Sequence, residues 1–258
     1  MADPIDIERL LNRRSDLSTF VVHLTRGGVA GTPTSKENLE AILTSGIIQA
    51  RTPMGWTGVG KTRLSATALA SMKVVCFSET PLEHVYSLFQ DIRGRSVKLS
   101  SYGVAFTRDT ARSRGVNPVW YVDMTPGRTW ELPPALDELR QQATAAPGGF
   151  VSHPASKILP FVEPMGTWPG GRKEFSWERE WRHLGDFQFS WLDVALVLCP
   201  EGEIDEFESL GSYNAVDPSW SLERMIATIV QKRAVLEELV ATAARRRARA
   251  AEAKATES

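Results

Sequence analysis

The chain has 258 residues, enough for one sizeable domain with extensions or two small ones, and its 42% hydrophobic content can fill a substantial core. Charged residues make up 24% and the formal net charge is -1, so bulk charge names no polyanionic partner. No segment approaches the roughly 18 uncharged apolar residues of a membrane span, and the N-terminus has no basic region followed by an apolar core, so a cytoplasmic protein with no membrane partner is expected.

The first element expected is a short amphipathic helix over Ile5 to Leu17. Phe20 to Thr25 reads as a strong strand, which puts His23 and Thr25 on the same face. Thr34 to Glu37 is a capping-box pattern opening a helix with Leu39, Ile42 and Leu43, and Gly46 stands where a C-terminal glycine belongs. Ile47 and Ile48 start a short strand. Gly55 to Thr62 then matches the phosphate-binding pattern G-x-x-x-x-G-K-[ST], but no unbroken apolar run leads into its first glycine, so it reads as a flexible glycine loop.

Val74 to Glu79 is a second strong strand, turned into a helix at Thr80 to Glu83 with Pro81 at the first helical position. Ser78 and Glu79 therefore stand at a strand end. Two further strands are expected at Tyr102 to Phe106 and Val119 to Val122, with a short helix from Thr110 to Arg114 between them. A helix over Leu136 to Ala145 ends at Pro147-Gly148-Gly149, and Pro164 to Gly171 reads as a loop. Trp191 to Leu198 is apolar enough for a buried strand, and Glu201 to Leu210 for a short helix. Met225 to Val230 is read as a last strand or a helix start. From Gln231 the pattern is one long helix with Val235, Leu236, Leu239 and Val240 as its stripe, ending in Arg245 to Arg249. Cys76 and Cys199 each sit in an apolar run and are expected to be buried free thiols.

The stretch from Phe175 to Phe187 crowds two glutamates, two arginines, a histidine and two tryptophans together. Read as extended, it places Glu178, Glu180 and Arg182 on one face and Trp177, Arg179 and Trp181 on the other. Two functions suit that arrangement. One is a structural ion-pair network on a sheet; the other is an E-x-E strand feeding a pocket in which one carboxylate stabilises a developing positive charge.

Several of these pieces, in matching order, resemble the AbiGi family of abortive phage-infection proteins. They are Val22-His23-Leu24-Thr25, Leu39 to Gly46, Cys76 to Leu82, Tyr102-Gly103-Val104, Gly115 to Tyr121 and Glu178-Arg179-Glu180-Trp181-Arg182, spanning roughly residues 20 to 190. A second resemblance, at the level of fold, is to DarT-like ADP-ribosyltransferases. The resemblances imply an α+β domain with a mixed, mostly antiparallel sheet, taken to span residues 19–230, and the residue pattern adds a helix over residues 1–18 before it and a basic helix and tail over 231–258 after it. Carried over residue by residue, the transferase likeness implies NAD as substrate, with His23, Thr25 and Ser78 in the cofactor-binding positions, Glu180 as the catalytic carboxylate and Glu178 two residues before it. The expectation is a phage-defence protein that uses NAD to modify a macromolecule. The alternative is a non-catalytic antitoxin with the same fold, working through a partner protein. Nucleic acid is a further expected partner through the arginine-rich tail. Metal-dependent nuclease chemistry would require Glu79, Asp123, Glu178 and Glu180 to converge.

Overall fold

The computed structural model describes residues 14–27, 31–53, 64–92, 97–127 and 131–234, with 242 and 245. The glycine pattern from Gly55 to Thr62 lies outside the described residues, as do most of the first helix and the stripe from Val235 to Val240.

The described residues form twelve strands: β1 (Phe20–Leu24), β2 (Ile47–Ile48), β3 (Val74–Ser78), β4 (Gly103–Thr107), β5 (Asn117–Pro118), β6 (Trp120–Asp123), β7 (Val162–Trp168), β8 (Gly171–Lys173), β9 (Glu180–Leu184), β10 (Phe187–Gln188), β11 (Val194–Leu198) and β12 (Ala215–Val216). Seven of them make the main sheet in the order β12-β11-β4-β1-β3-β9-β5. In it β11 and β12 run parallel, and each other neighbouring pair runs antiparallel. The two-residue strands β5 and β12 are its edges, and Pro118 sits in β5. A smaller sheet has β7 between β6, which is parallel to it, and β8, which is antiparallel. β2 and β10 pair separately. The fold is α+β with a mixed, mostly antiparallel sheet.

Helix α1 (Ser35–Ser45) forms as its caps dictate. Thr34 Oγ1 accepts from the Glu37 amide and Glu37 Oε2 accepts from the Thr34 amide at 2.7 Å. At the other end Gly46, with φ 66°, donates its N–H to the Ile42 carbonyl. Helix α2 (Ala66–Ser71) is capped by Ser65, and α3 (Arg108–Ser113) by Thr107. Helices α4 (Leu132–Ala145) and α5 (Ala155–Ile158) lie between β6 and β7, and α6 (Ile204–Ser209) precedes β12. Leu82–Phe89 is a 3-10 helix with Pro81 at its cap position rather than its first helical one.

The main sheet's core is aromatic on one face. Phe77, Phe106 and Phe187, each at most 1% exposed, meet edge to face with centroids 5.1–6.0 Å apart. A second cluster, including Met72, Val122, Leu136, Phe150, Leu159 and Val162, gathers around β6, β7, α2, α4 and α5.

Several expectations are corrected. The segment Pro164 to Gly171 is strand and turn rather than loop, because Pro164 lies in the half of β7 that β8 does not reach. With a partner strand there on one side only, a missing N–H is tolerated. Trp191 and Leu192 are not in a buried strand: they form a 3-10 turn before β11 and are 56% and 74% exposed. Cys199 is buried as expected, but Cys76 is exposed, and neither is in a disulfide.

The Phe175 to Phe187 stretch is not extended throughout. Ser176–Glu178 is a 3-10 turn, Arg179 adopts φ 48°, and β9 begins only at Glu180. Among the described residues Arg179 is the one non-glycine with positive φ. Tertiary contacts hold it there: its carbonyl accepts the Glu79 N–H at 3.1 Å, and its guanidinium donates to the Asp16 carbonyl. Period-2 alternation stops where the backbone turns, so Glu178 does not share a strand face with Glu180.

By internal contacts the chain divides into Met1–Pro218 and Ser219–Ser258. The second unit holds helix α7 over residues 222–234, which starts ahead of Gln231. Within it the Arg224 guanidinium lies 4.0 Å over the Trp220 ring. Among the described residues no helix is long and apolar enough to cross a membrane.

Candidate functional site

The chemistry-bearing residues collect around β3 and β9, and the register between strands decides who meets whom. Val22 opposes Ser78, Ser78 opposes Glu180 and Cys76 opposes Arg182, so these share one face of the main sheet. His23 opposes Val104, and Thr25 follows it two residues on; both belong to the other face. The sheet thus brings Ser78 and Glu180 together and separates them from His23 and Thr25. Glu178 lies off the strand, near enough to Tyr121 to help push its phenol up, after the larger effects of burial and Glu180.

On the aromatic face, His23 Nδ1 donates to the Cys76 carbonyl at 2.8 Å, and its ring meets Phe77 edge to face at 5.9 Å. Burial, with Arg26 adding to it, lowers its pKa, so the ring is held neutral. Thr25 is 4% exposed, and its hydroxyl donates to the Ser35 carbonyl at 2.8 Å, tying the end of β1 to the start of α1.

On the opposite face Arg182 is the centre of a buried ion network. Its Nε and Nη2 donate to the two oxygens of Glu180, each at 2.9 Å. Nη1 donates to the Pro160 carbonyl at 2.6 Å, and Nη2 also to Glu163 Oε2 at 2.5 Å. Lys173 holds the other oxygen of Glu163. Burial alone would lower the Arg182 pKa, but the Glu180 and Glu163 carboxylates more than offset it, and the guanidinium stays charged. The Glu180 carboxylate is therefore already neutralised in a bidentate pair. Its backbone is fixed too: the amide donates to Tyr121 Oη and the carbonyl accepts from Val119, both at 2.9 Å. Cys76 keeps accessible surface, yet its walled-in position and then the Glu180 charge push its thiol well above the ordinary value. The raised value keeps it a protonated thiol near neutral pH.

A second hub forms at the strand end on the aromatic face. Glu79, 5% exposed, accepts from Trp181 Nε1 at 2.9 Å and from Arg108 Nη1 at 3.3 Å, with Arg179 Nη2 at 3.6 Å. The Arg112 guanidinium lies 5.3 Å over the Trp181 ring. Asp123 is elsewhere, accepting from the amide and hydroxyl of Thr125. Glu79, Asp123 and Glu180 thus serve separate partners, and among the described residues no group of three His, Cys, Asp or Glu could hold a metal ion.

Sequence reasoning missed Arg108, Arg112, Glu163 and Lys173. Glu163 and Lys173 flank a segment read as loop, and nothing local marks Arg108 or Arg112 as partners of residues 29 and 69 positions away in sequence.

Fold and site define an α+β protein whose central carboxylates and guanidiniums are committed to two ion-pair hubs. The chain belongs to the AbiGi family: residues 54–198 match the family model described as "Putative abortive phage resistance protein AbiGi, antitoxin". That segment carries Ser78, Glu79 and the whole of β9 but leaves β1, with His23 and Thr25, outside it. No curated protein matches the chain, and no solved structure does.

Proposed function

We propose that the protein is the antitoxin of an abortive-infection pair and acts by binding a partner protein, without turnover. The family description supports this reading, and one observation carries it: the residues a transferase site would use are divided between the two faces of the main sheet, with Glu180 spent on Arg182. A carboxylate already neutralised by a buried guanidinium has little charge left for an oxocarbenium-like centre.

The test is co-expression with an inducible toxin from the adjacent gene. Wild type and Glu180→Gln, at equal abundance, should protect cells equally and co-purify with the toxin in a fixed ratio. Protection lost in a folded Glu180→Gln, together with NAD consumption by the wild type, would instead favour the transferase.

A further inference from the structure

The Glu79 hub carries more positive charge than its acids balance. Arg108 and Arg179 reach one carboxylate, and Arg112 lies over the ring of Trp181, whose indole N–H donates to that carboxylate. Of the other acids nearby, Asp16 pairs with Arg14 at 2.5 Å and also feels Arg179, Asp109 is exposed on α3, and Glu178, next to Arg179 in sequence, lies near Tyr121. Two polar atoms at the hub are buried without a partner: Arg108 Nε and the hydroxyl of Thr80, a residue 6% exposed. A buried donor left unmet costs free energy unless something supplies the missing acceptor.

Arg112 is exposed, and its contact among the described residues is with the Trp181 ring. Trp177, 40% exposed, stands on the same turn as Arg179. Arginine and tryptophan are the side chains that most often anchor protein interfaces.

We infer that the Glu79 hub is the place where this protein receives an acidic segment of its partner, a carboxylate entering between Arg112 and Arg179 over the edge of Trp181. This rests on the binding reading above. The charge of the site favours a carboxylate over a phosphate. Glu79 stays in place as a fixed negative charge, and it repels a phosphate of about -1.5 to -2 more strongly than a singly charged side chain.

The reporter is the Trp181 indole N–H, which donates to Glu79 and is assigned in a ¹⁵N spectrum of the full chain through Trp181→Phe. It is titrated at matched ionic strength with hexaglutamate, hexathymidylate and inorganic phosphate. A saturable shift with hexaglutamate is expected, weakened roughly tenfold in Arg112→Glu, whose side chain is exposed and outside the buried pairs. No peptide response, an undiminished response in Arg112→Glu, or a tighter response to the oligonucleotide or phosphate overturns the inference. Toxin neutralisation separates the two readings. If wild type neutralises and Arg112→Glu does so equally well, the hub is not the docking point but the antitoxin reading stands. If wild type fails to neutralise, the antitoxin reading falls, and the hub, which rests on it, falls as a partner site whatever the peptide does.

Discussion

A strand histidine with a threonine two residues on has the look of a ligand pair, and the surroundings of His23 and Thr25 show what else the pattern can encode. His23 Nδ1 and Thr25 Oγ1 each donate to a backbone carbonyl, of Cys76 and Ser35. The lowered pKa of His23 has a sign. Its folded value lies below the ordinary value of about 6.5, so the unfolded chain takes up the proton more readily; this part of the stability is complete above about 6.5 and is lost as pH falls through the folded value. Between about pH 7.5 and about pH 5, the thermal midpoint of wild type should therefore drop more than that of His23→Gln, whose amide can still donate to Cys76. Equal slopes by circular dichroism would contradict this. At this scale the sequence made Glu180 and Arg182 legible as neighbours on one face, since β9 is a regular strand from Glu180 onward. It could not foretell Arg179, whose positive φ is imposed by Glu79 and Asp16 from distant parts of the chain.

Elements whose instructions are local were the readable ones. Helix α1 carries its own start and stop signals, and the structure forms both. Strand β7 was unreadable for the opposite reason: its pairing with β6 joins residues about forty positions apart, and Pro164 masks it. Gly103 shows a third case, a small residue demanded by a neighbour. A Cβ there would stand 2.5 Å from the His23 carbonyl oxygen and 2.7 Å from Leu24 Cδ2, and that oxygen cannot retreat without disturbing the β1/β4 ladder. Gly103→Ala should cost about 1–3 kcal/mol, read as a lower urea midpoint. A change within about 0.5 kcal/mol would mean the two strands part more easily than their register suggests.

In the main unit, Met1–Pro218, two hydrophobic cores are joined through Arg182, which reaches from β9 to the Pro160 carbonyl and Glu163 at the start of β7. Strand order of this kind is invisible in a sequence, because antiparallel partners β3 and β9 are a hundred residues apart. The joint makes a prediction for the molecule. Arg182→Met leaves Glu180 without its buried counter-charge and Glu163 with Lys173 alone, and should cost about 3–5 kcal/mol. In native-state hydrogen exchange the amides of β6 and β7 should lose protection well before those of β1 and β4. Parallel loss in both regions would show that the cores open as one. The edges of the main sheet carry a different consequence. Each is only two residues long, and one contains Pro118, so neither offers a row of free backbone groups to a passing strand. A main sheet closed off this way resists adding copies of itself edge to edge, so this sheet does not turn the protein's own concentration into a hazard.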